Sequence, residues 1–117
     1  MKKFIHYCGF LTVLGTGFSV LAADLETEFI NSSTAFSQVV TVSSNGIKTI
    51  YVSGQVGIRD GEIPDSFAEQ IDIVFSNIVA QLDAAGAKMT DVIKLTGFIV
   101  DMDVERRAAY SLSLIHI

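Results

Sequence analysis

The chain has 117 residues, half of them hydrophobic, with a single proline and a single cysteine, a composition suited to one compact domain plus an apolar appendage. Thirteen acidic residues against eight basic ones give a net charge of −5 at pH 7. A surface of that sign repels phosphate backbones and anionic lipid, which argues against nucleic acid as a partner.

The appendage comes first. Lys2 and Lys3 precede an apolar run from Phe4 to Leu21, and the small residues Ala22 and Ala23 stand before Asp24. This is the layout of a signal peptide over residues 1–22, with Val20 and Ala22 at the small-residue positions and a cut after Ala22, or alternatively after Ala23. A membrane anchor needs roughly 20 apolar residues, and Gly9, Gly15, Thr16, Gly17 and Ser19 dilute this run. The expected protein is exported, periplasmic or secreted, with no membrane attachment after cleavage. Losing Lys2 and Lys3 leaves six basic residues against 13 acids, a net charge near −7. Losing His6 and Cys8 leaves no cysteine and one histidine, His116, which excludes disulfides, thiolate catalysis and Cys/His zinc sites.

The region from Asp24 to Thr34 is polar and acidic, with a short strand expected around Glu28–Ile30. Alternation from Phe36 to Val42 predicts a strand. Ser43-Ser44-Asn45-Gly46 supplies the turn, since Asn and Gly tolerate positive φ. A second strand follows over Lys48–Ser53, with Ile50 and Val52 on one side and Thr49, Tyr51 and Ser53 on the other. Val56 and Ile58 extend it through a bulge in this reading.

A helix is predicted from Ser66. Ser66 and Glu69 form a capping-box pattern, and Phe67, Ile71, Val74, Phe75, Ile78 and Leu82 recur at helical spacing. Gly86 is the expected stop. Ile73, Val79 and Ala80 widen the apolar stripe, either into a deep core or toward a second subunit. Thr90 to Val100 then reads as a strand, with Val92, Leu95, Phe98 and Val100 as its buried positions. Asp101 or Asp103 caps a second helix running through Tyr110, with Glu105, Arg106 and Arg107 on a solvated face.

Residues 112–117, Leu-Ser-Leu-Ile-His-Ile, read as the translation of a transposase end used in preparing sequencing libraries; a genuine terminal strand is the alternative. The adapter reading is preferred, so the domain is taken as 23–111 and the gene is expected to continue past Ser111. The fold class is α+β: a mixed sheet with two helices on one face, incomplete at its C-terminus.

No phosphate-binding loop, nucleophile elbow or Cys/His set is present. Asp101 and Asp103 are better explained as caps than as metal ligands. What remains is an ordered pattern. Ile50-Tyr51-Val52-Ser53-Gly54-Gln55-Val56 is followed by Asn77, Leu82, Ala85-Gly86-Ala87 and Asp91-Val92-Ile93-Lys94, and preceded by Ala35-Phe36-Ser37-Gln38; Asp101-Met102 closes it. From about Phe29 to Tyr110 the chain resembles the RidA/YjgF family.

That resemblance implies a chorismate-mutase-like fold, a homotrimer, and clefts between subunits where reactive enamines and imines such as 2-aminoacrylate are hydrolysed to keto acid and ammonia. It implies no cofactor and no metal, because water adds to a carbon that is already electrophilic. By position, Ser53 and Gly54 fall on the strand lining the cleft, with Gln55 beside them, and Phe36 sits where active members carry a tyrosine. Phe36 has no hydroxyl to orient a water or proton. The anchoring arginine and catalytic carboxylate of the family belong to a segment beyond this chain, and Arg106 and Arg107 lie in the wrong place to substitute. Two functions follow: an imine or enamine deaminase, or a non-catalytic module binding a small metabolite or protein partner in the same cleft. A structural reading of Ser53-Gly54-Gln55 also stands, with glycine bending the strand and polar neighbours satisfying the backbone.

Overall fold

The computed structural model describes residues 24–115; the expected signal peptide and residues 116–117 lie outside them. Three strands, β1 (Glu26–Ser32), β2 (Ser37–Ser44) and β3 (Ile47–Val52), form an antiparallel sheet in the order β1-β2-β3. Helix α1 spans Phe67–Ala84 and α2 spans Val104–Leu114, with one 3-10 turn at Met89–Asp91. The α+β layout read from the sequence is observed.

The register follows from the hydrophobic pattern. Val39 pairs with Val52 and Thr41 with Ile50, while Ile30 stands opposite Val39 across the other ladder. Alternation places Ile30, Val39, Thr41, Ile50 and Val52 on one face. Val39 is fully buried there, and Ile50 and Val52 pack with Val74, Ile78, Leu82 and Ala87 under α1. The opposite face leaves Phe29 and Tyr51 exposed. Asn45 and Gly46 both take positive φ, 52° and 78°, joining Ser44 to Ile47 in a two-residue turn whose twist matches the flanking strands.

Helix α1 ends as its sequence specifies and begins with one half of the expected capping box, the Ser66 cap, without the returning bond from Glu69. The Ser66 hydroxyl accepts from the Glu69 amide at 3.4 Å. The Glu69 carboxylate lies 4.0 Å from the Arg59 guanidinium. At the far end Gly86 has φ 76°, the Ala87 amide donates to the Leu82 carbonyl at 2.9 Å and the Gly86 amide to that of Asp83 at 3.0 Å. This is a Schellman motif, closed by the packing of Leu82 with Ala87. The Lys48 ammonium reaches across from β3 to the Ala85 carbonyl at 2.8 Å, a cation at the negative end of the helix. Ile73 is buried and Val79 exposed, so the widened stripe divides between core and surface.

The strand expected over 90–100 requires correction. After the turn at Met89–Asp91, residues 92–99 take no regular structure and pair with no strand. Val92 touches the core cluster, but Leu95, Phe98 and Val100 are exposed and Ile93 entirely so. Side-chain alternation was present; a neighbouring strand edge was not. Without it the described sheet is antiparallel throughout rather than mixed. Val56 and Ile58, expected to prolong β3, are likewise exposed, and the chain instead turns back at Asp60-Gly61, where Arg59 and Glu62 pair.

Helix α2 is capped by the Asp103 carboxylate, which accepts from the Arg106 amide at 2.7 Å, and it continues through Leu114. The backbone of 112–114 is therefore helical and not a strand. This helix packs against α1: Tyr110 tilts against Phe75 with ring centres 6.4 Å apart, and the Arg106 guanidinium stands 5.7 Å from the centre of the Phe67 ring. Arg106 also donates to the carbonyls of Val100 and Asp101. The solvated face expected for Arg106 is thus a bonded one.

Candidate functional site

Three of the four residues singled out for substrate binding gather with Ser37 and Gln38 at the end of the β2–β3 hairpin remote from its turn. Antiparallel pairing brings this about, because residues far apart in sequence become neighbours where the strands open. The Ser53 amide donates to the Gln38 carbonyl at 2.8 Å, extending the ladder one step past β3. The Ser53 hydroxyl donates to the Ser37 carbonyl at 2.6 Å. The Gln55 side-chain amide donates both to the Gln38 side-chain oxygen at 2.8 Å and to the Ser53 carbonyl at 3.1 Å.

These bonds fix what the patch offers outward. Ser53 has committed its proton and keeps its oxygen lone pairs; Gln55 has committed both amide protons and keeps its carbonyl oxygen; Gln38 keeps its amide protons. Two acceptors and a donor group within one bonded cluster suit a water molecule and a protonated imine nitrogen. Gly54 lies exposed between them, and nothing stands within 4 Å of where its Cβ would be. Neither crowding nor a left-handed backbone therefore requires glycine at 54, whereas a Cβ on Gly57 would meet Gln70 at 2.7 Å.

Phe36 is exposed and positioned by a local turn. The Ser33 amide donates to the Phe36 carbonyl at 2.8 Å, and the Ser33 hydroxyl accepts from the Phe36 amide at 3.2 Å. Phe36 therefore enters β2 beside Ser37, at the same end of the sheet. Asn77 on α1 donates to the Val56 carbonyl at 3.4 Å, tying the chain just past Gln55 to the helix. Gln38, whose side chain holds Gln55, was not a candidate from sequence; its signal is the cross-strand alignment of Ser37-Gln38 with Ser53-Gly54-Gln55.

Other groups are committed elsewhere. Arg106 is bonded at the start of α2, and Arg59 faces Glu69. Two surface concavities lie away from the patch, one beside Glu26, Glu28 and Thr41, the other between α1 and α2 beside Phe75 and Leu112. Among the described residues no group of three or more His, Cys, Asp or Glu side chains is placed to hold a metal, and no helix is long and apolar enough to cross a membrane.

A hairpin-and-helix α+β protein with a polar cluster where its central strands open is the class these features define. Residues 26–111 match the Endoribonuclease L-PSP family, and the chain belongs to that family, also known as RidA/YjgF. It is 38% identical over 69 residues to a RutC family protein of Aquifex aeolicus, covering 57% of this chain and 52% of that one. It is 42% identical over 53 residues to the RutC family protein YjgH of Escherichia coli, covering 44% and 40%. It is 36% identical over 72 residues to 2-iminobutanoate/2-iminopropanoate deaminase of Rattus norvegicus, covering 59% and 50%. The chain spans about half the length of these curated relatives. No solved structure matches it.

Proposed function

We propose that this chain is part of an exported homotrimeric deaminase, one that hydrolyses small reactive imines and enamines of the 2-aminoacrylate type to keto acid and ammonia. The observation carrying the reading is the bonded cluster of Ser37, Gln38, Ser53 and Gln55 beside an uncrowded Gly54, within a chain whose relatives include proteins named for imine deamination. The chemistry asks little of the protein. Water adds to the C=N carbon, a proton passes to nitrogen, and the resulting carbinolamine expels ammonia as its hydroxyl becomes the keto oxygen. Orientation of substrate and water supplies most of the catalysis. The acceptors on Ser53 and Gln55 hold the water or the iminium N–H, and Phe36 forms an apolar wall.

A substrate carboxylate also needs a cation, and none stands in this cluster. In the proposal that cation comes from chain beyond the segment described, and the exposed sheet face bearing Phe29 and Tyr51 is covered by neighbouring subunits. The export signal belongs to the same proposal. The net negative charge disfavours the RNA substrate that the name Endoribonuclease L-PSP suggests.

The test uses the full-length gene. With semicarbazide trapping, the purified protein should speed the loss of 2-aminoacrylate-derived imine, and Ser53→Ala should slow it while the protein stays folded. No acceleration over buffer would rule the hydrolase out. Phe36 favours a second reading, a binding-only module, because its ring carries no proton-transfer group. Saturable binding of 2-keto acids without turnover would establish that alternative.

A further inference from the structure

The tip of the β2–β3 hairpin carries chemistry that neither the fold nor the proposed hydrolysis uses. Asn45 and Gly46 are exposed, both backbones are left-handed, and nothing lies within 4 Å of where a Cβ on Gly46 would stand. The turn closes Ser44 onto Ile47. Among the described residues the Gly46 amide makes no backbone hydrogen bond.

We propose that Asn45 is a site of spontaneous covalent modification, in which the Gly46 backbone nitrogen attacks the Asn45 side-chain carbonyl carbon. The new bond joins that nitrogen to Cγ and closes a five-membered succinimide. The bond from Cγ to Nδ2 breaks, the Gly46 amide proton passes to solvent base, and Nδ2 departs as ammonia. One water then opens the ring. Opening at Cγ gives aspartate with the normal backbone, and opening at the main-chain carbonyl gives isoaspartate, whose backbone runs through the side chain.

The reaction is intramolecular at any asparagine, so its reactants never have to find one another; two features single out this position. Glycine follows, so no Cβ crowds the nucleophile and the backbone rotates freely. The tip is exposed and closed by few bonds, so it opens locally without unfolding of the sheet. The chain has two other asparagines, and neither shares these features: Asn31 lies within β1 and is followed by Ser32, and Asn77 lies within α1 and is followed by the buried, β-branched Ile78. Asp60-Gly61 repeats the left-handed geometry, with φ of 53° and 85°, but an ionised carboxylate is the poorer electrophile, so it reacts more slowly.

The two products differ in consequence. Aspartate tolerates the left-handed conformation and keeps the register. Isoaspartate inserts one methylene into the backbone of a two-residue turn and so distorts the geometry that sets the strand register. The Ser53–Gln38 pairing at the hairpin's other end depends on that register; any loss of activity through it rests on the hydrolase reading, whereas the modification itself does not.

The experiment incubates the full chain at mildly acidic and mildly alkaline pH, reading amide-to-acid conversion by peptide mapping and isoaspartate by enzymatic methyl transfer. Asn45 should convert roughly tenfold or more faster than Asn31 or Asn77, a barrier difference of about 1.4 kcal/mol, and faster in alkali. Asn45→Gly, which suits the turn, should abolish the isoaspartate signal from the tip. Conversion at Asn45 no faster than at Asn77, while a peptide of residues 44–47 converts readily, would overturn the proposal. So would a tip signal that survives in Asn45→Gly. Both readouts are independent of catalysis, so failure of the deaminase assay leaves them intact.

Discussion

Two stretches of this chain are built from similar residues and end in opposite states. In β2, Val39 and Thr41 are buried, 0% and 2% exposed, between a strand on either side and α1 above. In the segment 92–100, Ile93 is 100% and Phe98 95% exposed. Both carry β-branched side chains suited to a pleated sheet. The difference lies in what surrounds them. A strand must hand its amides and carbonyls to a neighbour and its apolar side to a cover, and β2 has both, whereas the described part of the molecule gives Ile93 and Phe98 neither.

The sharpest way to break this comparison is a pair of truncations. Leu82→Ala, within the cluster under α1, should cost about 2–5 kcal/mol, while Ile93→Ala should change stability by no more than about 0.5 kcal/mol; denaturant titration measures both. Equal losses would mean that 92–100 is packed in solution and the contrast false. A second pair separates fold from function near the site. Gly57→Ala drives a methyl into Gln70 and should cost about 1–3 kcal/mol by overpacking. Gly54→Ala meets nothing within 4 Å and should leave the melt unchanged while weakening any ligand that approaches the backbone there.

Smaller effects sharpen the same contrast at the ends of α1. Ser66→Ala removes the acceptor for the Glu69 amide and should cost about 1 kcal/mol. Lys48→Met removes the cation from the Ala85 carbonyl and should cost about 0.5 kcal/mol, less at high salt. Neither change should alter hydrogen exchange in 92–100, which is expected to be fast in every variant, while β2 and α1 amides exchange slowly.

Much of this was legible in residue order. The β2 and β3 strands, the Asn45-Gly46 turn, the Ser66 cap and the Gly86 stop all fall where local chemistry put them. The patch was half legible: Ser53, Gly54 and Gln55 stood out by resemblance, but their bonds to Ser37 and Gln38 cross the sheet, and only the register defines them. Arg106 reads as solvated from sequence because the Phe67 ring comes from a distant part of the chain, and the carbonyls of Val100 and Asp101, six and five residues back, turn toward it only at the start of α2.

The sequence by itself determined where elements begin and end, since caps, turns and side-chain periodicity act over a few residues and need no distant partner. Tertiary structure alone decided which apolar stretches became core. Burial is a relation between surfaces, and the same alternation that seats Val39 under α1 leaves Phe98 in water when no edge and no cover are there to receive it.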